Sequence, residues 1–237
     1  MRYVLLPGLH GTSRLFAPFT EAAPSGSGFE LIDYPEDGPQ SVSRLADVVS
    51  GRLSTDPYIL VAESFGGPIA LAAAAKHPPG LVGLVLAGSF ARSPVPAALA
   101  HLPDAAFRLA MTSLYPARVA LAGPGRSRRL DELLRAELPR VPPTTFLRRV
   151  RTILTTDVQR LLGGVRVPSL ILRATRDLLV PRRCHRELVA GLLAATSIAI
   201  EGPHMLLEER PRACWEAIVS WQHRQDSSVP IRNPSVD

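Results

Sequence analysis

Tyr58-Ile59-Leu60-Val61-Ala62-Glu63-Ser64-Phe65-Gly66-Gly67 is the stretch on which the fold turns. An apolar run of β type stops at a serine, with small residues two before it (Ala62) and two after it (Gly66), and a helical pattern follows. A strand, a sharp turn and a helix around small-x-Ser-x-small hold a serine hydroxyl up at the edge of a sheet. Small neighbours let strand and helix pass closely, and the serine takes a strained backbone conformation. The pattern points to a hydrolase or an acyl-transfer enzyme.

Outward from this turn, short apolar runs alternate with helical periodicity, the pattern of a parallel sheet covered by helices. The strand candidates are Arg2–Leu6, Phe29–Asp33, Tyr58–Ala62, Leu81–Ala87, Ser169–Ala174 and Thr196–Ile200. Their Val, Ile and Leu content lacks polar alternation, as suits strands buried on both faces. Helices are expected over Leu15–Ala23, Val42–Leu53, Phe65–His77, Arg182–Leu193 and about Arg210–His223. Ser41 and Ser43 offer N-caps, and Lys76-His77-Pro78-Pro79-Gly80 is a helix stop. Pro68 is tolerable in the first turn of its helix, where amides lack intrahelical partners.

The alternation breaks over residues 89–165, which read as a helical lid inserted between two strands of a core made of residues 1–88 and 166–222. Pockets of open α/β sheets lie at the carboxyl edge, and lids gate them. Residues 223–237 read as a frayed tail.

A serine hydroxyl needs a base to take its proton, and the base needs an orienting carboxylate. Asp177 follows the strand Ser169–Ala174, and His204 follows the last strand, after a Gly202-Pro203 turn. Ser64, Asp177 and His204 therefore all leave the carboxyl ends of parallel strands on one edge of the sheet. Asp157 and Glu201 are rival acids. His77, His101, His185 and His223 lie in or beside helical stretches and read as solvated.

Leu5-Leu6-Pro7-Gly8-Leu9-His10-Gly11-Thr12, Ala62–Gly67, Arg176-Asp177 and Gly202-Pro203-His204-Met205-Leu206 together resemble the α/β-hydrolase superfamily, with similarity over residues 1–222. Ser, Asp and His also come in that family's chain order. The resemblance implies a mostly parallel sheet of six or more strands with helices on both faces. It also implies an oxyanion hole made of two backbone amides, one from Phe65 and one from the loop after the first strand. His10-Gly11 looks like that loop's usual His-Gly pair, but the register puts Pro7-Gly8 there and makes Leu9 the donor. His10 is then an extra residue near the mouth, lining the pocket or serving as a turn residue; Met205 is a second candidate for the lining.

The chain has 237 residues, enough for one large α/β domain. Apolar residues make up 46% and charged residues 20%, as in a globular protein. No apolar run is long enough to span a bilayer, and the one near the N-terminus stops at Pro7-Gly8, so a cytoplasmic location is expected. The net charge of +6 is almost wholly arginine, Lys76 being the only lysine, and aromatics are only 5%. That argues against a nucleic-acid partner. Cys184 and Cys214 lack metal spacing and read as buried free thiols. No metal or cofactor is expected.

The first expectation for the reaction is hydrolysis of carboxylic esters with small or medium acyl groups, with a small-molecule ester or thioester as partner. Arg126, Arg128, Arg129, Arg135, Arg148, Arg149 and Arg151 crowd the insertion and suggest an anionic thioester as the alternative. Acyl transfer to an alcohol and perhydrolysis use the same residues. A non-catalytic ligand-binding scaffold is the alternative of another class. Epoxide and haloalkane hydrolysis are disfavoured, because they need a carboxylate where Ser64 stands.

Overall fold

In the computed structural model, residues 1–96 and 127–228 are described. Six strands form one sheet: β1 (Arg2–Leu6), β2 (Gly28–Leu31), β3 (Tyr58–Glu63), β4 (Leu81–Ala87), β5 (Ser169–Ala174) and β6 (Ala195–Ile200). Their order is β2-β1-β3-β4-β5-β6, and every neighbouring pair is parallel. Parallel neighbours need crossovers, and these place helices on both faces.

The pleat sorts side chains by alternate residues. Val4, Leu6, Leu60, Ala62, Leu84 and Leu86 face one layer, which holds α2 (Val42–Ser50), α3 (Gly66–Ala74) and α6 (Arg182–Gly191). Tyr3, Leu5, Ile59, Val61, Val85 and Ala87 face the other, which holds α1 (Ala17–Glu21), α7 (Leu206–Glu209) and α8 (Pro211–Ser228). Between β4 and β5 the described residues form α4 (Arg128–Glu137) and α5 (Pro143–Thr155), with short 3-10 turns after each. Residues 97–126 of the insertion, with His101 and Arg126, lie outside the described residues, as do residues 229–237.

Departures from the sequence reading have local causes. The helix expected over Leu15–Ala23 is split into a 3-10 turn, Ser13–Phe16, and α1. Thr12 caps the first piece, and Pro18 lacks the amide that would continue it. Helix α3 ends at Ala74, and His77 then turns into the left-handed region at φ 53°. Helix α8 runs to Ser228, past His223, its expected end. Among the described residues, no helix is long and apolar enough to cross a membrane.

Candidate active site

Ser64 follows the last residue of β3, at φ 51°, a left-handed conformation that costs a non-glycine residue energy. Its neighbours make this turn possible. A Cβ on Gly66 would come within 2.8 Å of the Leu6 and Pro7 carbonyls, and one on Gly67 would overlap Ser89 Oγ. Ser89 Oγ in turn donates to the Ser64 carbonyl at 2.8 Å, tying the turn to the end of β4.

The three residues singled out above meet. His204 Nε2 lies 2.9 Å from Ser64 Oγ, and His204 Nδ1 lies 2.8 Å from Asp177 Oδ2. Asp177 Oδ1 accepts the Leu179 and Val180 amides at 2.8 and 2.9 Å, which fixes the carboxylate in the loop after β5. Gly88 leaves room beneath, for a Cβ there would sit 3.0 Å from the His204 carbonyl oxygen. With Asp177 holding Nδ1, the ring presents Nε2 to the hydroxyl, an arrangement able to remove its proton. The rival acids lie apart: Asp157 caps the Gln159 amide, and Glu201 faces Arg176 at 3.5 Å.

Phe65 follows Ser64 in the turn, and Leu9 lies in the loop after β1. Among the described residues, neither amide donates a hydrogen bond within the chain. Gly8 faces Ser64 closely, a Cβ there lying 3.5 Å from Ser64 Cβ, and the Tyr34 hydroxyl donates to the Pro7 carbonyl at 3.0 Å. Met205 is half-buried and packs with Leu15, Leu130 and Leu134 against α4. His10 is buried. Burial, helped by the Arg149 charge, pushes its imidazole down to about 4, so the ring is neutral at ordinary pH.

Three of the insertion's arginines are engaged within the chain. Arg128 pairs with Glu132 on α4, and Arg129 with Glu21 of α1. Arg149, on α5, is 1% exposed. It donates to the His10 carbonyl at 2.7 Å, the Leu9 carbonyl at 3.4 Å, the Pro35 carbonyl at 3.1 Å and Gln40 Oε1 at 2.9 Å, and it lies over the Tyr34 ring. Gly11 permits this approach: its φ is +73°, and any Cβ there would overlap Arg149 Nη1. A helix of the insertion thus grips the loop that carries Leu9.

A second group that went unnoticed in the sequence is a carboxyl pair. Glu63, before Ser64, and Glu208, four residues after His204, are both buried. If both were ionised, Glu63 Oε1 and both Glu208 oxygens would face no donor. A proton kept on one of the two carboxyls would supply the missing donor. Desolvation and the Glu208 charge lift Glu63 well above the carboxylate range, and desolvation lifts Glu208 to about 7. His204, Glu209, Asp177 and Cys214 are the other titratable groups around them. A charged residue at the last buried position of a strand was the available signal. Cys184 and Cys214 are buried and free, as expected.

With this geometry in view, the comparisons with known proteins are decisive about kinship. The model of the alpha/beta hydrolase family matches residues 3–217. The chain belongs to that family. It is 27% identical over 242 residues to a protein of Caulobacter sp. (strain K31) provisionally named carbamate hydrolase RutD, covering 92% of this chain and 89% of that one. Solved α/β-hydrolase structures share the fold. The enol-lactonase from Burkholderia xenovorans LB400 superposes with a TM-score of 0.77 at 20% identity, covering 94% of this chain and 91% of its own. MenH from S. aureus does so at 0.77 and 16%, covering 95% and 94%. As an α/β hydrolase, the protein is an enzyme whose family acts on small molecules.

Proposed function

We propose that this hydrolase cleaves carboxylic esters of small or medium acyl groups through an acyl-enzyme on Ser64. The observation that carries the reading is the unbroken chain from Asp177 through His204 to the Ser64 hydroxyl, with contacts of 2.8 and 2.9 Å. His204 Nε2 takes the hydroxyl proton as Ser64 Oγ bonds to the carbonyl carbon. The Leu9 and Phe65 amides face the oxygen that gains charge; losing one such donor typically costs about 100–1000-fold in turnover. The carbon–oxygen bond to the alcohol then breaks, and His204 returns the proton to the departing alcohol. Water, deprotonated by the same ring, releases the acid and restores Ser64. The helical insertion acts as the lid over this edge of the sheet.

Ester is preferred to thioester because three of the seven arginines that suggested an anionic substrate, Arg128, Arg129 and Arg149, are paired or buried. The relatives named for a carbamate and an enol-lactone support carbonyl chemistry in general, and a lactone is itself an ester. The test is turnover of p-nitrophenyl esters of increasing chain length against matching acyl-CoA thioesters, with Ser64→Ala as control. Ester turnover that disappears in Ser64→Ala is expected; turnover of thioesters alone would overturn the ester reading.

A further inference from the structure

His10 Nδ1 accepts the Thr12 amide at 3.3 Å, so the neutral ring carries its proton on Nε2. That Nε2–H is buried and has no acceptor among the described residues. Buried donors are almost always satisfied, so an unpaired one beside a reactive group marks a place where something else supplies the acceptor. The position is specific. A Cβ built on Gly8 would lie 3.5 Å from Ser64 Cβ and 3.6 Å from His10 Nε2, so the ground over Gly8 has Ser64 on one side and His10 on the other. The backbone beneath the ring is pinned, with the His10 carbonyl held by Arg149 at 2.7 Å and the Gly11 amide bonded to the Gly8 carbonyl at 3.0 Å.

We infer that His10 is a specificity-determining residue whose Nε2–H binds an acceptor oxygen of the substrate's acyl group. It would select esters that carry an ether, keto or amide oxygen close to the scissile carbonyl. The inference rests on the ester-hydrolase reading above and adds the chemical class of the acyl group. A site built around a hydrogen bond discriminates against the isostere that lacks it, because the buried donor is then left unpaired.

The test compares p-nitrophenyl methoxyacetate with p-nitrophenyl butyrate, acyl groups of equal length in which an oxygen replaces one methylene. Each kcat/KM is divided by that ester's rate of alkaline hydrolysis to remove intrinsic reactivity. The wild-type protein should prefer methoxyacetate by about tenfold. His10→Phe, which keeps the ring volume, should erase the preference, and His10→Gln, which restores an N–H donor, should recover part of it. No preference in the wild type, or an equal preference in His10→Phe, would overturn the inference; the wild-type and His10→Gln ratios decide it even if His10→Phe fails to fold. Failure to hydrolyse either ester, or hydrolysis persisting in Ser64→Ala, would overturn the ester-hydrolase reading along with it.

Discussion

Replacing Arg149 by methionine would remove a buried charge that holds the loop after β1 in place. Three acceptors lie within 3.1 Å of the guanidinium: the His10 and Pro35 carbonyls and Gln40 Oε1. Each charge-assisted bond contributes roughly 1.5–3 kcal/mol. Several kcal/mol of guanidinium desolvation is returned when the charge is removed. The balance is a loss of about 2–4 kcal/mol in stability, read by urea unfolding. The effect on turnover is larger than stability alone implies, since the freed loop carries Leu9, whose amide is the proposed oxyanion donor. A shift of about an ångström in a catalytic donor costs on the order of 100-fold. That loss should fall on kcat with KM little changed, and affinity for a trifluoromethyl ketone should weaken in parallel. Gly11→Ala should reproduce both losses, because its Cβ would occupy the guanidinium's place and its φ is +73°. The double variant should then lose little more than either single one. Kcat within threefold of wild type in a folded Arg149→Met, or fully additive losses, would refute the reasoning.

The carboxyl pair predicts an unusual pH dependence. Glu63 and Glu208 are raised above the carboxylate range in the folded protein, so they keep a proton that the unfolded chain has given up. Stability should therefore fall as pH rises from about 4.5 through about 7, the reverse of a salt-bridged carboxylate. Glu63→Gln, which offers Glu208 an amide donor without a titratable proton, should flatten the melting temperature over that range; an unchanged slope would contradict the retained proton. Asp177→Asn should keep the fold yet lower kcat by roughly 10⁴-fold, as the ring loses its orienting acceptor. A loss below tenfold would assign the orienting role to another group.

Much of this site is legible in the sequence because each of its three central residues lies in the loop just after a strand, and a buried parallel strand writes itself as an apolar run. The register around Pro7-Gly8 leads to Leu9 and Phe65 as proposed donors, and among the described residues neither amide donates a hydrogen bond within the chain. What escapes is contact between distant segments. Arg149 and His10 are 139 residues apart, and on α5 an arginine bound for the interior has the same spacing as its solvated neighbours. Nor does composition distinguish Glu208, buried against Glu63, from a charge on the outer face of α7. The split before α1 was readable in principle, since Pro18 marks the break.

The central claim, that Ser64 is the nucleophile activated by His204, is tested most directly by labelling with a fluorophosphonate and mapping the adduct by peptide mass spectrometry. The account predicts one adduct on the peptide containing Ser64, absent in Ser64→Ala and strongly slowed in His204→Ala. Undiminished labelling of Ser64→Ala, or an adduct on another residue, would contradict it.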